Sequence, residues 1–111
     1  MNDVFHVGLA DTGWEQLSLL EQMGNIGSEV SRALSARERE REERAEAAAV
    51  RALELFDLTL ADPDNRHRLR EIARARECFA DFFFGGNAYG STADSWQSYF
   101  LAFAVAARRD R

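Results

Sequence analysis

Apolar residues recur at spacings of three and four through most of the chain, which predicts helices. The first apolar stripe belongs to a helix that we predict over residues 12–34. Its members are Leu19, Met23, Ile26, Val30 and Ala33. Thr12 and Glu15 have the spacing of a capping box, which places the start of this helix at residue 12. Residues 1–11 lack such a period and are predicted to form a short N-terminal arm.

The next periodic segment predicts one long helix over residues 36–61. Its second half carries an apolar stripe of Ala49, Leu53, Phe56 and Leu60. Residues 37–44 alternate between arginine and glutamate and contain no apolar side chain. We interpret this polar part as a solvated segment of helix. A contact surface for a charged partner is the alternative.

Asp62 and Pro63 form a strong boundary, because aspartate caps helices and proline suits their first position. They predict a third helix over residues 63–84. Its inward residues are Leu69, Ile72, Phe79 and Phe83.

A glycine-rich loop follows at residues 85–92 and separates two aromatic-rich segments. We predict a left-handed helix cap at Gly85 or Gly86, with Tyr89 as a lid over the end of the bundle or as an exposed anchor. Ser91 or Thr92 then caps a fourth helix, predicted over residues 92–109. Residues 1–111 thus form a single domain, an all-α, antiparallel four-helix bundle with a short N-terminal arm.

Gly24 and Gly27 lie inside the first predicted helix, where each costs about 1 kcal/mol relative to alanine. Their three-residue spacing places both on one side of the helix, so we expect a neighbouring helix to approach closely there. A hinge or a backbone cleft for a ligand is the alternative.

The fourth predicted helix is apolar around most of its circumference, more than one face of a bundle can bury. An exposed apolar surface of this kind favours self-association, so we predict a homo-oligomer. The predicted interface consists of Trp96, Tyr99, Phe100, Leu101, Phe103 and Val105.

Charge adds a second candidate surface. The formal net charge is −5, and all 14 basic residues are arginine, which reflects composition bias or selection for forked guanidinium donors. On the third predicted helix, four arginines form a ridge that consists of Arg66, Arg70, Arg74 and Arg76. We expect salt bridges with carboxylates such as Glu71 and Glu77 to neutralise it. The alternative is a site for phosphate or RNA. The net acidity argues against non-specific binding of nucleic acid.

No catalytic, cofactor-binding or metal-ligating residue is assigned. Cys78 is the single cysteine, so neither an internal disulfide nor a zinc site built on cysteines can form. The two histidines lack the Glu-x-x-His spacing of di-iron bundles.

Two acidic pairs, Glu40-x-x-Glu43 and Glu54-x-x-Asp57, resemble the signature of all-helical nucleotide pyrophosphohydrolases. That resemblance implies magnesium and a nucleoside triphosphate. In that family the two motifs lie on different helices that meet around the metal, whereas here both fall on one predicted helix.

We see no signal peptide in the first residues and no apolar run of the roughly 20 residues that span a bilayer, so we predict a cytoplasmic protein without membrane contact. The favoured function is a non-catalytic oligomeric interaction or scaffold protein with a possible protein partner. The first alternative is an RNA- or phosphate-binding accessory protein that uses the arginine ridge. The second is a metal-dependent nucleotide hydrolase.

Overall fold

The computed structural model describes residues 13–109, which form a four-helix bundle without strands. The helices are α1 (Leu19–Glu38), α2 (Glu42–Ala61), α3 (Leu69–Phe84) and α4 (Ala93–Arg109). Short 3-10 helices precede α1 at Trp14–Gln16 and α3 at Pro63–Arg68. Helix α1 packs against α2 and α4, and α3 packs against α2. The predicted all-α bundle is confirmed, while the predicted arm lies outside the described residues.

Helix α1 begins at Leu19, so the predicted start at residue 12 is wrong. The capping box is formed by Ser18, whose Oγ accepts from the Glu21 backbone N–H at 3.1 Å. In return, Glu21 Oε1 accepts from the Ser18 backbone N–H at 3.0 Å. Both this pair and Thr12 with Glu15 fit the sequence pattern. The later start leaves Trp14 in a separate 3-10 turn, where its side chain is buried in the core.

Residues 39–41 form a turn between α1 and α2, so the second helix, predicted over residues 36–61, begins at Glu42 and the break placed at residue 35 is wrong. Glu40 has a left-handed backbone with φ of 60°. The backbone N–H groups of Glu40 and Arg41 donate to the carbonyls of Arg37 and Ala36 at 3.0 and 2.8 Å, which is the Schellman pattern. Glycine normally marks this motif in a sequence, and none is present here. The reversal allows the apolar stripes of α1 and α2 to face each other.

The boundary before α3 follows the sequence prediction closely. Asp62 Oδ1 accepts from the Asp64 backbone N–H at 3.0 Å and caps the 3-10 segment that Pro63 begins. This first part is 3-10 rather than α-helical, so α3 itself begins at Leu69.

The loop between α3 and α4 differs from the prediction. Gly85 ends α3 with φ of −108°, and the left-handed residues are Asn87 and Gly90, with φ of 55° and 70°. The Asn87 side chain stabilises this conformation, because its Nδ2 donates to the Ser91 carbonyl and its Oδ1 accepts from the Ser91 N–H, both at 2.9 Å. Thr92 caps α4 by accepting from the Ser95 N–H at 3.0 Å.

An aromatic cluster fills the interior between α3 and α4. The ring of Trp96 meets Phe79 edge-on at 5.6 Å between centroids and stacks with Phe100 at 5.9 Å. Trp96 and Phe100 are each only 6% exposed. Their assignment to an oligomer interface is therefore wrong, because both side chains are buried in the core of their own chain.

Helices α1 and α4 approach closely at Gly27. A Cβ atom placed on Gly27 would lie 2.7 Å from the Cβ of Phe100, closer than side chains pack. At Gly24 no described atom beyond the neighbouring backbone of α1 itself lies within 4 Å of such a Cβ. The close helix approach expected for both glycines is thus present at Gly27 and not at Gly24.

Three buried polar side chains connect α1 to the segment after α2, and we call them the Gln22 clasp. The members are Gln22, Asp62 and Asn65, which are at most 3% exposed. Gln22 Nε2 donates to Asp62 Oδ2 at 2.8 Å and to the Trp14 carbonyl at 2.9 Å. Asn65 Nδ2 donates to Gln22 Oε1 at 2.8 Å. The clasp satisfies polar groups that would otherwise be costly to bury.

Arg37 joins three helices near the α1–α2 turn. Its Nη1 donates to the Phe83 carbonyl at 3.1 Å, and its guanidinium carbon lies 3.6 Å from the Phe83 ring centroid. Its Nη2 contacts Glu42 Oε2 at 2.7 Å, and this hydrogen bond lowers the pKa of Glu42. Arg37 is therefore a structural residue and does not belong to a free basic surface.

Candidate anion-binding groove between α3 and α4

A groove of about 760 Å³ lies between α3 and α4. Helix α3 contributes basic side chains, and the loop and α4 contribute aromatic ones. The residues that matter for its chemistry are Arg70, Arg74, Cys78, Tyr89, Trp96 and Tyr99.

The groove exists because α3 and α4 pack against different helices. Helix α3 lies on α2, whereas α4 lies on α1, and the two contact each other mainly through aromatic side chains. Phe79 and Phe82 both reach Trp96, with centroid distances of 5.6 and 6.5 Å. These rings hold the helices apart and leave a cleft beside them.

Two members of the arginine ridge line this groove. Arg70 and Arg74 are exposed, lie one helical turn apart, and form no salt bridge with the described carboxylates. Arg66 is also exposed and without a salt bridge in the described part of the chain, but it lies outside the groove lining. Arg76 instead pairs with Asp57 of α2, through Nε to Oδ1 at 2.7 Å and Nη2 to Oδ2 at 3.2 Å.

The expected neutralisation of the ridge is therefore seen only at Arg76, and the nearby carboxylates explain why. Glu71 binds Arg68 at 2.6 Å and accepts from the Tyr99 hydroxyl at 3.4 Å. Glu77 accepts from the Tyr89 hydroxyl at 3.0 Å. Tyrosines from the loop and α4 thus donate hydrogen bonds to the carboxylates that the sequence suggested as salt-bridge partners of the ridge.

The groove is locally positive although the chain is acidic. Arg68, Arg70 and Arg74 line it together with the single carboxylate of Glu71. The formal net charge of the whole chain is −5. A concave surface with excess positive charge concentrates small anions.

Tyr89 is placed beside the arginines by the loop. The backbone N–H groups of Gly85 and Asn87 donate to the Asp81 carbonyl at 2.9 and 3.1 Å. The Tyr89 ring centroid then lies 5.7 Å from the guanidinium carbon of Arg74. Aromatic side chains do not interleave with the arginines along α3, but the fold supplies them from the loop and α4.

The hydroxyls of both tyrosines are held as proton donors. The hydrogen bond to Glu77 raises the pKa of Tyr89, and burial raises the pKa of Tyr99 to about 12. Neither group serves as a base near neutral pH. Their rings can instead pack against a bound ligand.

Cys78 also lines the groove and is half-buried. His67 lines the groove too, but it precedes Cys78 by eleven residues, roughly 16 Å along a helix. That separation does not form a nucleophile–base pair. Cys78 is better regarded as a chemical reporter of groove occupancy.

The acidic motifs do not assemble into a metal site in the described part of the chain. Glu40 lies in the α1–α2 turn rather than on a helix, and Asp57 pairs with Arg76. Within residues 13–109 no three histidine, cysteine, aspartate or glutamate side chains are grouped so that they could hold a metal ion. The same residues include no helix with the length and apolarity to cross a bilayer.

Sequence reasoning identified the arginines of the groove but missed its aromatic side. Tyr99 and Trp96 were assigned to an interface, and nothing along α3 signals that Tyr89 approaches Arg74. Comparison of the chain with protein-family models, with curated proteins and with solved structures found no match.

Proposed function

We propose that this protein is a non-catalytic binding protein that holds a phosphate-bearing ligand in the α3–α4 groove. The observation that supports this most directly is the pair Arg70 and Arg74, which are exposed, adjacent and without a carboxylate partner in the described chain. Guanidinium groups bind phosphate oxygens through paired, charge-assisted hydrogen bonds. This proposal favours the phosphate-binding alternative over the scaffold hypothesis.

The size and charge of the groove favour a compact ligand. Its volume of about 760 Å³ suits a small molecule or a short segment of a strand. A long polyanion would meet the net charge of −5 elsewhere on the surface. We therefore propose a ligand with a few phosphates, such as a nucleotide or the end of a single RNA strand.

A pair of charge reversals tests this proposal. Arg70→Glu should weaken binding of pyrophosphate at least tenfold, because it places a negative charge on the groove wall. Arg66→Glu makes the same change in net charge outside the groove and should leave binding close to wild type. Isothermal titration calorimetry gives the affinities, and thermal melting checks that both variants fold.

Protection of the Cys78 thiol locates the binding. Pyrophosphate should slow the reaction of Cys78 with a maleimide in the wild type and in Arg66→Glu, but not in Arg70→Glu. A wild type that ignores pyrophosphate at about 150 mM salt would contradict the proposal. So would an equal loss of binding in the two variants.

Self-association is a second proposed function, supported by the outer face of α4. Leu101 and Val105 lie one turn apart and are 58% and 37% exposed. Tyr99 and Phe103 are partly buried against the core and contribute only their edges. Such a patch suits contact with a second copy or with another protein.

As part of the same proposal we assign the protein to the cytoplasm, a reducing compartment that suits the free Cys78.

Light scattering tests self-association at micromolar concentration. The wild type should exceed one chain of 12.6 kDa per particle, and Leu101→Glu should shift it towards the monomer because a charge desolvated in an apolar contact is costly. Ala73→Glu adds the same charge at an exposed position of α3, away from the α4 patch, and should not change the mass. A monomeric wild type would reject the oligomer.

A further inference from the structure

A second groove lies between α1 and α2, close to the turn that joins them. Its volume is about 550 Å³. Five arginines line it together with Ser31 and Ser35, and no carboxylate does. The arginines are Arg32, Arg39, Arg41, Arg44 and Arg51.

The left-handed turn at Glu40 separates arginines from glutamates in a segment where the two alternate along the sequence. Residues 37–44 are arginine or glutamate at every position. In the folded chain, the arginines at 39, 41 and 44 line the groove. The glutamates at 38, 40, 42 and 43 are exposed and lie outside its lining. The segment that the sequence suggested to be merely solvated therefore builds one wall of a basic cleft.

Only part of this positive charge is neutralised within the described chain. Glu29 binds Arg32 at 3.1 Å and Arg51 at 3.2 Å, and its side chain is 12% exposed. Arg39, Arg41 and Arg44 are exposed and form no salt bridge with the described carboxylates. Like charges held close together on a hairpin repel one another, so an anion between them would relieve an existing cost.

The lining also indicates what kind of anion fits. Beside the arginines and the two serine hydroxyls it contains only alanines, at positions 36, 47 and 48, and no aromatic ring. A nucleobase would find nothing to stack on, in contrast to the tyrosines of the α3–α4 groove. Forked guanidinium donors and hydroxyls match phosphate oxygens spread over several groups.

We propose that the α1–α2 groove binds a chain of three or more linked phosphates through Arg39, Arg41 and Arg44, with Ser31 and Ser35 as further donors. The ligand is recognised by its phosphates alone. Inorganic polyphosphate and the phosphate tail of a nucleoside triphosphate share this chemistry. The site is separate from the α3–α4 groove and does not depend on the function proposed for it.

Calorimetry with tripolyphosphate tests the proposal. The measurements use the Arg70→Glu variant, in which phosphate binding in the α3–α4 groove is weakened. In that background tripolyphosphate should still bind, with an affinity that falls as salt is added. Adding Arg44→Gln or Arg41→Gln should each weaken binding about tenfold. Arg66→Gln removes the same charge outside both grooves and serves as the matched control.

The remaining outcomes separate the sources and the two sites. Equal affinity for ATP and tripolyphosphate supports recognition by phosphate alone, and a tenfold preference for ATP would overturn it. Tighter binding of an RNA octamer than of tripolyphosphate would overturn it in favour of a nucleic-acid backbone. Binding lost with Arg70→Glu alone would assign all the phosphate affinity to the α3–α4 groove and reject this second site.

Discussion

Replacing Gln22 by leucine should lower the free energy of unfolding by about 3 kcal/mol, although leucine is apolar and the site is buried. The substitution removes the hydrogen bonds that the Gln22 amide makes to Asp62, to Asn65 and to the Trp14 carbonyl. It leaves the Asp62 carboxylate, which is 3% exposed, without its side-chain donor. A buried acceptor that loses its partner retains the full cost of desolvation. Urea denaturation gives the change in stability.

The isosteric variant Gln22→Glu separates hydrogen bonding from shape. Its carboxylate would face that of Asp62 at hydrogen-bond distance, and two such groups cannot both ionise cheaply. The pair should take up a proton, so its folded-state pKa is raised and stability should be lost as pH rises through that value. Gln22→Glu should therefore be more stable at pH 4 than at pH 7 relative to wild type. A cost below about 1 kcal/mol for Gln22→Leu would show that the clasp does not stabilise the fold.

The clasp illustrates a limit of sequence patterns. Asp62 is recognisable as a cap, but its bond to Gln22 spans 40 positions, and that of Asn65 to Gln22 spans 43. Gln22 itself adjoins the apolar stripe beside Met23 and gives no periodic signal. Local rules describe groups that meet within one or two turns, and the clasp forms only once α1 lies against the end of α2.

Capping side chains predicted some helix boundaries but not the start of α1, where Ser18 rather than Thr12 forms the capping box. Asp62 with Pro63, and Thr92, lie at the ends of observed helical segments. The break between α1 and α2 was predicted at residue 35 rather than at residues 39–41, because a glutamate, not a glycine, adopts the left-handed conformation at residue 40. A helix propensity summed over this arginine- and glutamate-rich segment favours continuation. Tertiary packing of the two apolar stripes outweighs that local preference.

The candidate sites were likewise predictable from the sequence only in part. The arginines at 70 and 74 were predictable as neighbours on one helix face. Whether these arginines form salt bridges depends on Glu71 and Glu77. The carboxylates of both accept hydrogen bonds from tyrosines of the loop and α4. The α1–α2 groove depends on the turn at residues 39–41, because the same arginines on one straight helix would point in several directions. The position of the helix break was thus predicted wrongly, and that position is the origin of the second basic groove.

Gly27→Ala and Gly24→Ala should change stability in opposite directions, although the two glycines lie one turn apart on α1. At Gly27 the new Cβ would lie 2.7 Å from the Cβ of Phe100 and 2.9 Å from its Cγ. A Cβ is fixed to the backbone, so rotation of the Phe100 side chain cannot relieve the contact and α1 must move away from α4. Overpacking of this kind costs about 1–3 kcal/mol, more than the helix propensity that alanine gains.

At Gly24 no described atom beyond the neighbouring backbone of α1 lies within 4 Å of the new Cβ, so only the propensity term remains and alanine should stabilise by up to about 1 kcal/mol. Thermal and urea melts of the two variants make a matched comparison, since the chemical change and the helix are the same. If Gly27→Ala melted at or above the wild-type temperature, α1 and α4 would not be in tight contact there. Tryptophan fluorescence in a Trp14→Phe background offers an independent readout, because it reports Trp96 alone, which stacks with Phe100 at 5.9 Å, and separation of α4 from α1 should alter its environment in Gly27→Ala alone.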